Sequence, residues 1–136
     1  MDKPHAGVIL LDVPPGVTAD FDLDILERLG HPVVVCHGPG GETMCPLLTG
    51  GGCPMYEDAH GIAFQLDLDH EQHRAVLRRY RELARPDLPI RVFATPEQAE
   101  RYAELLVDFE VWAHEPNVAD LDGFAAEVEA ADRFTD

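Results

Sequence analysis

Three cysteines lie in one glycine-rich stretch of the sequence, VVVCHGPGGETMCPLLTGGGCPMYEDAHG (residues 33–61). Their spacing is Cys36-x8-Cys45-x7-Cys53. Zinc ribbons and thioredoxin-like redox sites use tight Cys-x2-Cys pairs instead, so the spacing here does not specify either kind of site. A cluster of thiols in a short segment is nevertheless typical of metal binding, disulfide formation or redox sensing.

The three thiols allow several kinds of chemistry. With His37 or His60 they could form a Cys3His zinc site, and alone they could hold an iron–sulfur cluster with one open iron. A disulfide between Cys45 and Cys53 would close a short loop and leave Cys36 buried at a strand end. Thiols that only pack near one another are a further reading, and the residues do not decide among these alternatives.

A second set of candidate residues is polar or acidic and stands at the ends of short apolar runs. Asp12 follows GVILL, Asp67 follows GIAFQL, Thr95 follows IRVFA, and Glu115 follows the run FEVWA and His114. In a parallel sheet, the carboxyl ends of the strands meet at one edge, where α/β proteins bind their ligands. Carboxylates gathered there could bind Mg²⁺.

Short apolar runs alternate with amphipathic segments along the chain, which predicts a parallel sheet covered by helices on both faces. Five strands in 136 residues fit a three-layer, flavodoxin-like α/β fold built as one domain, residues 1–136. The predicted strands are residues 7–13, 32–36, 61–68, 90–94 and 109–113. The predicted helices are residues 20–29, 70–84, a segment starting at Thr95, and residues 119–133.

One segment does not follow this alternation. Residues 36–60 contain six glycines between the second and third strands, and so many glycines disfavour a regular helix. Loops of more than about 12–15 residues are uncommon unless they are functional or disordered. We therefore expect this glycine- and cysteine-rich segment to be an irregular functional loop.

The charge of the chain limits its partners. Asp and Glu number 26 against 10 Lys and Arg, which gives a net charge of −16. Direct binding to nucleic acid or to an anionic membrane surface requires a basic face, so neither is expected. Because no apolar run approaches the roughly 18 residues of a membrane span and the N-terminus lacks a signal-peptide cleavage site, we expect a cytoplasmic protein.

Over nearly its whole length, the sequence resembles the receiver domains of bacterial response regulators in element order and in the residues at strand ends. Such receivers have an acidic pair after strand one, a phospho-accepting Asp after strand three, a Ser or Thr after strand four and a Lys-Pro after strand five. The corresponding segments here are Leu11-Asp12-Val13, Leu66-Asp67-Leu68-Asp69, Ala94-Thr95-Pro96 and His114-Glu115-Pro116.

Two of these positions depart from the receiver pattern. Val13 leaves only half of the acidic pair, and Glu115 stands where a receiver has the lysine that stabilises the acyl phosphate. The resemblance therefore implies a pseudo-receiver that is not phosphorylated at Asp67 in the ordinary way, and that needs Mg²⁺ only if it is phosphorylated. From the residues alone, Asp67 could simply end a strand and Asp69 could cap the next helix, with Gln72 completing a capping box.

The resemblance implies a stand-alone signalling module that binds and does not catalyse. Its partner, another protein or a second copy of the chain, would contact the face formed by helix four, strand five and helix five, and its cysteine segment would be the switch. Two alternatives stay open. One is a metal-dependent or iron–sulfur redox sensor that uses Cys36, Cys45 and Cys53, and the other is a working aspartate phospho-receiver.

Overall fold

The fold was determined from a computed structural model of the chain. It describes residues 7–14, 20–39, 45–50, 52–83 and 88–134, with side chains up to residue 131 in the last range. The described chain contains five parallel strands in the order β2-β1-β3-β4-β5, as predicted for the flavodoxin-like fold. The strands are β1 (Ile9–Asp12), β2 (Val33–Cys36), β3 (Gly61–Phe64), β4 (Ile90–Phe93) and β5 (Glu110–Trp112).

Helices cover both faces of this sheet. They are α1 (Asp20–Arg28), α2 (Pro54–Glu57), α3 (Glu71–Leu83), α4 (Pro96–Arg101), α5 (Ala103–Leu106) and α6 (Val118–Phe134). Side chains of α1 and α6 form one hydrophobic cluster with one face of the sheet, and those of α2, α3 and α5 form a second cluster with the other face. The predicted three layers are therefore present.

The central strands are buried on both faces. All four residues of β1 and all four of β3 are buried, whereas the outer strands β2 and β5 are only partly buried. A continuous apolar run such as Ile9-Leu10-Leu11 suits this position because successive side chains enter opposite helical layers. The strand order changes direction between β1 and β3, which opens a crevice at their carboxyl ends.

The glycine- and cysteine-rich segment differs from the predicted irregular loop in its described parts. It contains the single turn α2, and Leu47, Cys53 and Tyr56 are buried in the same cluster as Phe64 of β3. The Tyr56 ring stacks on that of Tyr80 with centroids 5.3 Å apart. These side chains cover the sheet where a longer helix would otherwise lie. Gly40, Gly41 and Gly51 fall outside the described residues.

Several predicted boundaries were wrong. Strand β3 ends at Phe64 and does not continue to residue 68, and α3 begins at Glu71. The helix predicted from Thr95 is divided at Tyr102, whose φ of −113° and ψ of 32° interrupt it. On α1, the apolar Phe21 is 53% exposed, while the neighbouring Asp22 is buried.

Other local features of the structure follow directly from the sequence. Thr95 is the N-cap of α4 in a complete capping box with Gln98, followed by a proline in the first turn. Val76, Leu77 and Tyr80 form the buried face of α3, and Trp112 lies in the core. Within the described ranges, no helix is long and apolar enough to cross a membrane.

Candidate functional site

Asp12, the last residue of β1, lies at the carboxyl edge of the sheet, where its side chain is buried. Its side chain shares the face of Leu10 and accepts a hydrogen bond from the hydroxyl of Tyr80, with 2.7 Å between Tyr80 Oη and Asp12 Oδ2. Burial raises the pKa of Asp12 from 3.8 to about 7, and the Tyr80 hydrogen bond opposes part of that rise. A carboxyl that holds its proton near neutral pH is a poor Mg²⁺ ligand.

Gln65 and Asp22 occupy the crevice between β1 and β3. Gln65 follows β3 directly, its backbone N–H donates to the Asp12 carbonyl at 2.7 Å, and its side-chain amide donates to the Asp22 carboxylate. Burial raises the pKa of Asp22, the hydrogen bond from Gln65 lowers it, and the negative charge of Glu115 adds a smaller rise. Sequence reasoning missed Asp22 and Gln65.

Asp67 lies three residues beyond β3 and is exposed. Its Oδ1 atom accepts hydrogen bonds from the backbone N–H of Asp69 at 3.0 Å and from Gln98 Nε2 at 3.3 Å. Its own N–H donates to Nδ1 of the buried His73 at 3.2 Å. These bonds shape the turn between β3 and α3, so Asp67 has a structural role in addition to any chemical one.

Thr95 and Asp67 are brought together through one side chain, that of Gln98. The backbone N–H of Gln98 donates to Thr95 Oγ1 at 3.1 Å, its Oε1 accepts from the Thr95 N–H at 3.2 Å, and its Nε2 donates to Asp67. Two of the residues that the receiver resemblance implicates therefore share a neighbour. Thr95 Oγ1, however, is already used in the capping box, and Asp67 Oδ1 is already used in the β3–α3 turn.

The sequence suggested Asp69 as the N-cap of α3, but Asp69 does not have this role. His70 takes that place, because its Nδ1 accepts from the backbone N–H of Gln72 at 3.2 Å. The Asp69 carboxylate instead accepts hydrogen bonds from the Tyr102 hydroxyl at 2.9 Å and from Arg101 at 2.8 Å. The bond from Tyr102 is the largest cause that lowers the pKa of Asp69. This network joins the β3–α3 turn to α4.

Glu115 brings negative charge to the part of the crevice where a receiver carries a lysine. It is exposed, and its charge contributes to the raised pKa of Asp22. The neighbouring His114 is also exposed, with its Nδ1 2.9 Å from the Glu115 carbonyl. The sequence has one lysine, Lys3, which lies outside the described residues.

The three cysteines are free thiols, so the Cys45–Cys53 disulfide, one of the alternatives that the sequence allows, is absent. Burial is the largest cause that raises the pKa of Cys36; the N–H of Gly38 lowers it, and the nearby Asp12, Cys45 and Cys53 raise it further. A thiol that keeps its proton is a weak nucleophile and a weak metal ligand. Cys45 is half-buried, and Cys53 is buried.

The structure also bears on the predicted zinc or iron–sulfur site. In the described portion of the chain, no group of three or more His, Cys, Asp or Glu side chains is arranged to hold a metal ion. His37 Nδ1 lies 3.3 Å from the backbone carbonyl of Val13. The described residues therefore give no support to a metal-binding or redox function for these cysteines.

Comparisons with known proteins agree with this fold. Neither a protein-family model nor a curated protein sequence matches the chain. Among solved structures, a CheY-like receiver domain protein from Methanospirillum hungatei is 17% identical with a TM-score of 0.60, covering 93% of this chain and 97% of that one. The receiver domain of Francisella response regulator 1452 is 14% identical with a TM-score of 0.61, covering 96% and 99%.

A third structure, a Burkholderia pseudomallei response regulator with a phosphorylated aspartic acid, calcium ion and citrate, is 23% identical. Its TM-score is 0.55, and the match covers 96% of this chain and 75% of that one. At these identities the likeness concerns the fold alone. The chain has the CheY-like receiver fold, as the sequence predicted.

Proposed function

We propose that this chain is a receiver-fold regulatory module that acts by protein–protein contact and does not accept a phosphoryl group in the ordinary way. The observation that carries the first part is a group of exposed valines around the edge strand β5. The second part is supported by the side chains at the carboxyl edge of the sheet.

Three of the six large hydrophobic side chains that are exposed in the described ranges lie on β5 or close to it in sequence. Val107 precedes the strand and is 73% exposed, Val111 lies on it and is 36% exposed, and Val118 begins α6 and is 52% exposed. An edge strand also presents unpaired backbone N–H and C=O groups. Apolar side chains beside such an edge favour association with another protein surface, and a second copy of this chain is the simplest partner.

Among the described residues, the side chains at the crevice do not favour phosphorylation of an aspartate. Gln65 follows β3 directly, and an amide cannot form an acyl phosphate. Asp12 is buried against Tyr80 with a raised pKa, and Glu115 contributes negative charge that would repel a phosphoryl group. Asp67 is an exposed carboxylate, but its Oδ1 atom already accepts hydrogen bonds from the Asp69 N–H and from the Gln98 side chain.

Acetyl phosphate with Mg²⁺ is expected to leave the protein unmodified. The reason is that an amide, Gln65, directly follows β3 and that Asp67 is already hydrogen-bonded within the β3–α3 turn. Intact-mass measurement after incubation checks this, with Asp67→Asn as the matched variant. A stable phosphoryl adduct on the wild-type chain that disappears in Asp67→Asn would contradict the proposal and favour a working phospho-receiver.

The wild-type chain is expected to self-associate through the edge strand β5 and its exposed valines. Sedimentation at ~0.15 M salt measures this association, under conditions where exposed charges are screened over about 8 Å. Val111→Asp should weaken the association by about tenfold or more, because it buries a charge in the interface. Val34→Asp on β2 is the matched control, since Val34 is also 36% exposed on an outer strand. Equal weakening by both variants, or a wild-type chain that stays monomeric, would exclude this dimer.

A further inference from the structure

Basic residues are concentrated on one face of this acidic chain. Arg74, Arg78 and Arg81 are spaced along α3 at i, i+4 and i+7, which places them on one side of the helix. Arg101, at the end of α4, faces them. These four of the ten basic residues line a pocket of about 380 Å³ between α3 and the α4–α5 segment.

Two of these guanidinium groups are held in place by neutral partners. Arg74 Nη1 donates to the carbonyl of Leu68 at 2.8 Å and to the hydroxyl of Tyr102 at 3.2 Å, and the group lies 4.8 Å from the centroid of the Tyr102 ring. Arg81 Nη1 donates to the carbonyls of Glu104 at 3.2 Å and Leu105 at 3.4 Å. Backbone carbonyls fix the side chains without neutralising their charge, and each arginine has five N–H donors.

Arg78 lies between these two positions on the helix. It is exposed, and it makes no hydrogen bond or ion pair with another residue that the structure describes. Arg101 is the exception in the group, because it forms an ion pair with Asp69 at 2.8 Å. The pocket therefore combines two anchored cations, one cation open to a ligand and one that is partly neutralised.

The charge of the pocket is opposite to that of the chain. Four arginines and two glutamates, Glu100 and Glu104, line it, so the lining carries +4 − 2 = +2 in a chain of net charge −16. Planar guanidinium groups donate paired hydrogen bonds to phosphate and carboxylate oxygens. The volume lies at the lower end of the range for small-molecule sites, about 300–1,000 Å³.

We propose that the pocket between α3 and the α4–α5 segment binds a small phosphate-bearing anion. A small ligand fits better than an acidic protein for two reasons. The pocket is short, and the net charge of the chain repels a large acidic partner at distances where a small anion, screened within about 8–10 Å, feels mainly the arginines. This site is separate from the crevice at Gln65 and from the valines around β5.

Inorganic pyrophosphate is a suitable probe for this site. Calorimetric titration of the wild-type chain, against sodium chloride at matched ionic strength, is expected to show saturable binding at one site per chain. Arg78→Gln should weaken that binding by about tenfold or more, because it removes an unpaired donor group from the centre of the pocket. The pyrophosphate affinity of Arg78→Lys should lie between those of the wild-type chain and Arg78→Gln, since lysine keeps the charge but lacks the planar guanidinium group.

Arg79→Gln is the control. Arg79 is adjacent in sequence and carries the same charge, but it lies outside the pocket and pairs with Glu82 at 3.2 Å. Its replacement should change pyrophosphate affinity by less than about threefold, as a loss of general attraction only. Equal losses in Arg78→Gln and Arg79→Gln, or no saturable binding to the wild-type chain, would overturn the proposal. Tighter binding of an oligoglutamate peptide than of pyrophosphate would also overturn it and indicate a protein partner at this surface.

Discussion

Replacing Leu77 with alanine should lower the free energy of unfolding by about 2–5 kcal/mol. Leu77 lies in the middle of α3, is fully buried, and packs in the cluster that includes Leu10, Ile62 and Phe64 of the two central strands. The truncation removes apolar contacts and leaves a cavity, because close-packed neighbours on the sheet relax only in part. Urea unfolding of the variant and the wild-type chain measures the difference.

Leu48→Ala provides the control for this experiment. It makes the same chemical change at a side chain that is 36% exposed, so its cost should stay below about 1 kcal/mol. A Leu77→Ala cost as small as that of Leu48→Ala would mean that α3 presents a different face to the sheet. The buried faces of α3 and the central strands would then need to be reassigned together.

The sequence predicted the layers of the fold because their signal is local. The run from Ile9 to Leu11 is apolar at every position, as expected for a strand covered on both faces, and Val76, Leu77 and Tyr80 recur at helical spacing. The capping box at Thr95 was equally readable, since its residues are neighbours in sequence. Each of these features depends on residues only a few positions apart.

The burial within the cysteine segment could not be predicted because glycine content reports on backbone freedom and not on burial. Six glycines predicted an irregular loop, and in the structure Leu47, Cys53 and Tyr56 of this segment enter the core. Tyr56 is buried through its stacking on Tyr80, a residue 24 positions later in the chain. A contact between such distant positions leaves no periodic pattern in the segment itself.

The end of the third strand was predicted wrongly for a related reason. The alternation in Phe64-Gln65-Leu66-Asp67 continues a strand pattern, so the third strand was extended to residue 68. Its ladder stops at Phe64, opposite Asp12, where β1 also ends. Register depends on the partner strand, and this end of the strand brings Gln65 to the crevice. Asp22 was missed because its burial arises from this tertiary contact.

Asp12→Asn should remove a pH-dependent loss of stability that the wild-type chain carries. Asp12 is buried, and its pKa of about 7 in the folded chain lies above its ordinary 3.8. Between these values the folded state holds a proton that the unfolded state releases, so this group favours folding fully below pH 4 and loses that contribution as the pH rises through 7. A shift of about three units corresponds to about 4 kcal/mol at most.

The measured quantity is the free energy of unfolding of Asp12→Asn minus that of the wild-type chain, followed from pH 4 to pH 8. This difference should rise with pH by about 2–4 kcal/mol, because the asparagine still accepts the hydrogen bond from Tyr80 but never ionises. The subtraction removes the pH-dependent contributions of the other carboxylates to the free energy of unfolding, because both chains contain them. Asp122→Asn, at an exposed position on α6, removes one charge outside the core and is the matched control for this comparison.

Tyr80→Phe tests the cause of the Asp12 shift. The hydroxyl of Tyr80 donates the hydrogen bond that lowers the Asp12 pKa, so its removal should raise that pKa and move the loss of stability to higher pH. Parallel pH profiles for Asp12→Asn and the wild-type chain would mean that water reaches the Asp12 carboxylate in the folded state. Asp12 would then be available as the single acid of a metal-binding crevice, and the case for a module without phosphoryl chemistry would rest on Gln65 and Glu115.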